Sequence, residues 1–207
     1  MEHYFSETPS IKSKNREIKY KINNEIFEFI TDNGVFSKTR VDFGTDLMLR
    51  EFIKENKNGK FSNKEEFDIL DIGCGYGVVS VVIKYFYKKS NLTLSDINER
   101  AIELSTKNLK KYEIEEYSAV KSFVFDNING KFDVILSNPP IRAGKKTIFE
   151  IYEKSFEHLN KNGAFYCVIQ TKHGAKSTQK KLEEVFSNCE TIAIDGGYRI
   201  YKAIKKF

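Results

Sequence analysis

The sequence predicts an α/β fold: a seven-stranded, mostly parallel sheet with helices on both faces, a C-terminal antiparallel hairpin and a short N-terminal β extension. Three observations lead there. From Phe67 onward, short apolar runs alternate with amphipathic stretches, giving strand, helix, strand, helix. The apolar runs are nearly continuous, as strands buried on both faces require. The last two runs are joined by Asp195-Gly196-Gly197, a tight-turn sequence that pairs strands antiparallel.

The N-terminal segment 16–37 alternates apolar and polar residues around Asn23-Asn24, which predicts a β-hairpin, and Asp32-Asn33-Gly34 is a second turn. Leu47, Leu49, Phe52 and Ile53 recur at roughly helical spacing over 45–55, with Thr45 or Asp46 available as N-cap. The polar stretch 56–66 reads as a loop. Strands are expected at 67–73, 91–97, within 118–125, and at 131–138, 163–170, 190–194 and 198–204. Helices are expected at 78–88, 99–112, 147–160 and 177–186. Ile148, Ile151, Tyr152, Phe156 and Leu159 share one face of the third of these. The organisation divides into an extension over 1–44 and a main domain over 45–207.

The chain has 207 residues, 40% hydrophobic and 30% charged, a globular balance able to bury one core. No apolar run is long enough to span a bilayer, and MEHYFSETPS lacks the layout of a secretion signal. Cys74, Cys167 and Cys189 form no metal-type spacing and no disulfide framework, so a reducing cytoplasm and no metal are expected. The net charge of +5 permits a polyanionic partner, as it permits a merely solvated lysine-rich surface.

In such a sheet, ligands bind beyond the carboxyl ends of the strands, so chemistry is sought just after them. The first such place is Asp71-Ile72-Gly73-Cys74-Gly75-Tyr76-Gly77. Its glycines let the backbone turn sharply and approach a ligand. The third glycine falls one place early for a dinucleotide fingerprint, which disfavours an NAD-dependent oxidoreductase. Asp71 could hold an ammonium group. Asp96 ends the next strand, where a carboxylate can accept from two ribose hydroxyls or, more plainly, cap the following helix, a task for which Asn98 competes. Cys74 beside the glycines reads as packing, and Tyr76 as a ligand-edge residue.

The fourth long run ends in Asn138-Pro139-Pro140. The prolines cannot continue a ladder and stiffen the turn. The Asn138 amide oxygen and the Pro139 carbonyl then stand as two acceptors able to take both hydrogens of a planar NH₂ group. Such a clamp orients the nitrogen for attack, and positioning supplies most of the rate. A plain strand terminator is the alternative.

DIGCGYG, SDIN, SNPPIRAGKK and QTKHGAK, in this order, resemble the class I S-adenosylmethionine-dependent methyltransferases, whose fold is Rossmann-like. More narrowly, SNPPIRAGKK, QTKHGAK and GYRIYKAIK resemble the small-domain enzymes related to the guanine-N2 methyltransferases of small-subunit ribosomal RNA. The resemblance covers nearly the whole chain. It implies that Asp71, Gly73 and Gly75 contact the methionine part of S-adenosyl-L-methionine and that Asp96 binds its ribose. Asn138, Pro139 and Pro140 become the catalytic turn. Phe36, Asp42, Gly44 and Thr45 close over the cofactor. One departure stands out. Phe123 occupies the place of the family's adenine-binding acid, so adenine is read by the backbone of Phe123 and Val124 with the ring packed on it, or by Asp126.

Ile141 follows the prolines where enzymes acting on adenine N6 or a glutamine amide commonly carry an aromatic. It offers an apolar face without π-stacking. Arg142, Lys145 and Lys146 follow it, and Lys172, His173 and Lys176 lie after the next strand, making a basic rim suited to phosphates. The expected reaction is methylation of an exocyclic amine, guanine N2 of ribosomal or other RNA. Methylation of a protein amide or small molecule is the alternative, as is a non-catalytic adenosyl-binding subunit. The oligomeric state is not encoded in any of these signals.

Overall fold

The computed structural model describes residues 12–57, 61 and 66–207. The N-terminal stretch read for a secretion signal, and most of the polar loop expected over 56–66, lie outside these. A two-stranded hairpin, β1 (Arg16–Ile22) and β2 (Glu25–Thr31), precedes α1 (Phe43–Asn56). Then come β3 (Phe67–Ile72), α2 (Val78–Phe86), β4 (Ser90–Asp96), α3 (Glu99–Lys111), β5 (Tyr117–Lys121) and β6 (Phe132–Ser137). A short 3₁₀ turn, Ile141–Ala143, leads into α4 (Gly144–His158). The chain finishes with β7 (Leu159–Gln170), α5 (Ala175–Phe186), β8 (Glu190–Asp195) and β9 (Tyr198–Ile204).

The large sheet has seven strands in the order β5-β4-β3-β6-β7-β9-β8. Pairing is parallel from β5 to β7, while β9 runs antiparallel to both β7 and β8, inserted between them. Because β3 leads outward to β4 and β5 before the chain returns to β6, the sheet reverses its winding between β3 and β6. A crevice opens at the carboxyl ends of these two strands. Every residue of β6 is buried, which its position inside a parallel sheet demands.

Two apolar clusters pack the two faces. One joins α1, α2, α3 and the hairpin, through Phe27, Phe29, Phe52, Val81, Leu104 and Tyr166 among others. The other joins α4 and α5, through Tyr152, Phe165, Leu182 and Phe186. The hairpin's alternation works as expected: Ile18, Tyr20, Ile22, Phe27 and Phe29 turn inward. Asn108 of α3 mimics a strand partner for the edge of β2, accepting the Ile30 N–H at 2.7 Å and donating to its carbonyl at 2.9 Å. Tyr112 hydroxyl likewise accepts the Glu28 N–H at 2.6 Å.

Three boundaries differ from expectation for stated reasons. Asp42, not Thr45 or Asp46, caps α1: its extended backbone lets the carboxylate accept the Gly44 and Thr45 N–H groups. Lys145 and Lys146 do not lie in a loop but in the first turn of α4, which begins at Gly144. β7 starts at Leu159 rather than Gly163, pairing Phe132 with Leu159 before a register shift.

Candidate active site

A cavity of about 900 Å³ fills the crevice between the ends of β3 and β6. The glycine loop forms its floor. Gly73 and Gly75 have φ of 75° and 56°, and a Cβ at either would meet nothing within 4 Å, so their bare backbone faces open space. Gly77 differs: with φ of 88° it begins α2, and a Cβ there would lie 2.9 Å from the Ser105 backbone. The Gly73 and Cys74 N–H groups both donate to the Ser95 carbonyl, at 2.8 and 2.9 Å, tying the loop to β4.

Asp71 is buried at the end of β3 and lines the cavity. Its Oδ2 accepts the Ser80 hydroxyl at 2.6 Å and the Ser80 N–H at 3.1 Å. Burial lifts its carboxyl to about 7, with those hydrogen bonds opposing and the nearby Asp96 adding to the rise. Asp96 is half-buried at the end of β4. Its Oδ2 accepts the Gly75 N–H at 3.0 Å and its Oδ1 the Asn98 N–H at 2.9 Å. Burial raises its pKa as well. The carboxylate is therefore aimed by the loop, and each oxygen keeps a further lone pair for a hydroxyl. The cap role open to Asp96 belongs instead to Asn98, whose side chain accepts the Arg100 N–H at 3.0 Å and donates to the Gly34 carbonyl at 2.9 Å.

Cys74 is buried against Ser105, and burial pushes its thiol up, so it packs rather than reacts. Tyr76 is also buried, edge-on to Phe29 at 6.0 Å, and burial raises its hydroxyl too. Phe123 is 42% exposed at the cavity mouth, and Ser122 and Val124 line the wall beside it. Asp126 is exposed and lies outside the lining.

Opposite the glycines stand Asn138, Pro139 and Pro140. The Asn138 amide nitrogen donates to Asp42 Oδ2 at 3.2 Å and to Thr45 Oγ1 at 2.9 Å. Both amide hydrogens are thereby spent on α1, and Oδ1 is left as the acceptor. Asp42 Oδ1 in turn takes the Tyr198 hydroxyl at 3.3 Å, and that hydroxyl accepts Gln170 Nε2 at 2.6 Å. Gly44 permits this closeness, since a Cβ there would lie 2.7 Å from the Tyr198 ring and 2.8 Å from Val168. The structure thus joins Asn138 to Asp42, Thr45, Tyr198 and Gln170. The sequence marks Thr45 only as a cap or a closing residue. Gln170 and Tyr198 fall within QTKHGAK and GYRIYKAIK, but the sequence gives neither a partner nor a role at the site.

Ile141, Arg142 and His173 reach the cavity wall, whereas Lys145 and Lys146 stand outside it. Lys145 Nζ lies 5.0 Å above the Phe149 ring. Lys172 and Lys176 are exposed nearby. Among the described residues no cluster of three or more His, Cys, Asp or Glu side chains could hold a metal ion, and no helix is long and apolar enough to cross a membrane.

A sheet of this order, reversed only at its inserted strand and carrying a glycine loop and Asn-Pro-Pro across its switch point, is the architecture of the class I methyltransferases. The chain belongs to the methyltransferase small domain family, whose pattern matches residues 26–202. It is 41% identical over 206 residues to the protein called uncharacterized protein YbxB of Bacillus subtilis (strain 168), covering 99% of this chain and 98% of that one. It is 35% identical over 175 residues to the ribosomal RNA small subunit methyltransferase C of Cronobacter sakazakii (strain ATCC BAA-894), covering 83% of this chain and 47% of that protein. The chain thus spans about half the length of this curated methyltransferase. Among solved structures, the T. thermophilus 16S rRNA N2 G1207 methyltransferase, in complex with AdoMet and guanosine, superposes with a TM-score of 0.82 at 22% identity, covering 95% of this chain and 52% of that one.

Proposed function

We propose that this chain methylates the exocyclic N2 of guanine in RNA, ribosomal RNA being the class, with S-adenosyl-L-methionine as methyl donor. The observation that carries this is the Asn138 amide, whose nitrogen is engaged by Asp42 and Thr45 so that its oxygen is the group offered to a substrate. The relatives named as small-subunit ribosomal RNA methyltransferases support the choice of RNA, and the guanosine-bound neighbour supports the choice of base.

The cavity fits the cofactor. Its volume suits a nucleoside-sized ligand, its floor is bare glycine backbone, and Asp96 is aimed at the place of a ribose. When bound, S-adenosylmethionine supplies an electrophilic methyl group. Asp71, Gly73 and Gly75 hold its amino-acid end, Asp96 its ribose, and Phe123 packs on its adenine while the Val124 backbone reads the edge. Asn138 Oδ1 and the Pro139 carbonyl accept the two hydrogens of the target amine, and Pro140 stiffens the turn. That grip holds the nitrogen lone pair on the cofactor side and raises its electron density. The proton leaves afterwards to water. Ile141 covers the base without stacking.

Arg142, Lys145 and Lys146 hold backbone phosphates. The two lysines sit in the first turn of α4, where like charge opposes the helix dipole, an arrangement better explained by a bound anion than by helix stability. The division into an extension over 1–44 and a domain over 45–207 goes with this reading, Phe36 and Asp42 of the extension lining the cavity and closing over the cofactor; a ribosomal RNA substrate is in keeping with a cytoplasmic protein.

Labelled S-adenosylmethionine incubated with total RNA, total protein and small metabolites tests this, with nucleoside analysis of the product. Label in N2-methylguanosine is expected; label confined to protein or metabolites overturns the substrate. Asn138→Ala is expected to abolish transfer while calorimetry still shows cofactor binding, and persisting activity overturns the clamp.

A further inference from the structure

A second hollow, of about 380 Å³, opens beside the main cavity on the carboxyl edge of the sheet. Gln170, Thr171, Lys172, Gly196 and Gly197 line it. The strand order gives its place. The ends of β3, β6, β7 and β9 stand side by side in that order, carrying the glycine loop, Asn138, Gln170 and Tyr198. β9 runs antiparallel to β7, so its first residue reaches this edge. Neighbouring strands lie roughly 5 Å apart, so two steps put the hollow on the order of 10 Å from Asn138, on the side away from the glycine loop. The two spaces adjoin: Gln170 lines both, Lys172 lines the hollow, and His173 lines the main cavity.

The hollow is held in shape. The Thr171 N–H donates to the Gly197 carbonyl at 2.8 Å, closing the end of the β7–β9 pair. Gly196 rests on Phe43, whose ring would lie 2.5 Å from a Cβ there. Gly197, with φ of 78°, would carry a Cβ that meets nothing within 4 Å, so its bare backbone faces open space. The charge has one sign. Lys172 is exposed and makes no ion pair or hydrogen bond among the described residues. No acid lines the hollow, and the adjoining Asp195 has one carboxylate oxygen occupied by the Gly196 N–H at 2.7 Å.

We propose that this hollow is a subsite for the nucleotide next to the target base, with Lys172 holding its phosphate. The inference rests on the reading of guanine in RNA and deepens it. A base inserted at Asn138 leaves its strand running over the cavity rim in two directions. In one it meets Arg142, which lines the main cavity. In the other it meets the hollow. Glycine backbone lets a sugar approach closely, and an unpaired ammonium takes a phosphate as a point charge. Such a contact is blind to sequence. It sets the register of the strand, while the identity of the base is read in the main cavity. A substrate without a phosphate gains nothing from it.

The test uses the full chain saturated with S-adenosylhomocysteine. Calorimetry compares guanosine with two dinucleotides, one carrying the neighbour upstream of guanosine and one downstream. At least one dinucleotide is expected to bind roughly tenfold tighter than guanosine, by an advantage that shrinks as salt is raised. Lys172→Ala is expected to bring the advantage of one dinucleotide within about twofold and to flatten its salt dependence. Lys180, exposed on α5 outside the hollow, supplies the control: Lys180→Ala removes an equal charge and is expected to keep the advantage. Equal losses in the two variants would reduce Lys172 to general attraction and overturn the subsite. An advantage that survives Lys172→Ala for both dinucleotides overturns it as well. If wild type binds guanosine and neither dinucleotide binds tighter, the subsite alone falls. If it binds none of the three, the guanine reading falls and the subsite with it.

Discussion

Asn138 and Thr45, 93 positions apart in the chain, hold amide nitrogen to hydroxyl oxygen at 2.9 Å. The contact links the turn after β6 to the first turn of α1. It makes the orientation of the proposed amine clamp depend on a helix that precedes the whole sheet.

Thr45→Val keeps the shape and removes the hydroxyl. A hydrogen bond of this kind contributes about 1 kcal/mol, so kcat is expected to fall roughly fivefold with cofactor affinity unchanged. Thr45→Ser is expected to restore most of the rate. Steady-state kinetics with calorimetry on the same preparations check this, and an equal loss in both parameters would show that α1 as a whole had shifted.

Asp71 predicts a pH dependence with a defined sign. Its folded-state pKa is raised to about 7, so at mildly acid pH the folded protein keeps a proton that the unfolded chain has released. The stability this group contributes is complete in acid and is lost as pH rises through that value. Asp71→Asn keeps an acceptor for Ser80, and its Tm is expected to fall less than that of wild type between about pH 5 and about pH 8. A cationic ammonium held by Asp71 favours the ionised form. Cofactor affinity is therefore expected to climb with pH, by up to about tenfold per unit below neutrality, and to lose this climb in the variant.

The glycines of the loop separate by their surroundings. Gly77→Ala combines a φ of 88° with a Cβ 2.9 Å from Ser105 backbone, and a loss of roughly 2 kcal/mol or more is expected. Gly73→Ala carries the unfavourable φ of 75° without a clash, so about 1 kcal/mol is expected from that strain alone. Urea denaturation of the two variants measures the difference, and equal losses would contradict it.

Phe123→Ala removes the ring at the cavity mouth. With an aromatic contact worth about 1 kcal/mol, cofactor affinity is expected to drop several-fold with little change in Tm, since the ring is already 42% exposed. Unchanged affinity by calorimetry would remove Phe123 from the adenine site.

Replacing Arg142, Lys145 and Lys146 together by alanine is expected to reduce the salt slope of RNA binding by about one unit for each phosphate no longer neutralised. A slope identical to wild type would assign the three to solvent.

The sheet is legible in the sequence because its strands are short, apolar and punctuated. β3, β4 and β6 lie within one or two residues of expectation, and the inserted β9 follows from Gly196-Gly197. The motif positions are legible too, since a parallel sheet delivers every post-strand segment to one edge. What is not legible depends on distant partners. Asp42 competes with Thr45 and Asp46 for the cap of α1, and only the backbone path, with ψ of 139° at Asp42, decides it. Lys145 and Lys146 read as loop because Pro139, Pro140 and Gly144 just ahead of them suppress the helix signal, yet α4 begins before them, at Gly144. Gln170 and Tyr198 lie in QTKHGAK and GYRIYKAIK, yet nothing in those motifs says what they touch. Their place beside Asn138 follows from the antiparallel pairing of β7 with β9, which sets Gln170 opposite Tyr198.

The insertion of β9 also has a consequence in time. Asp42 and its partner Tyr198 are separated by 156 positions, so a chain emerging from its N-terminus can complete the glycine loop and β6 long before the Asp42–Tyr198 contact can form. Until β9 slides between β7 and β8, the nascent protein holds the parts of a donor pocket without the brace that sets its amides. The brace of the proposed clamp can close only once β9, made after β7 and β8, has taken its place in the sheet.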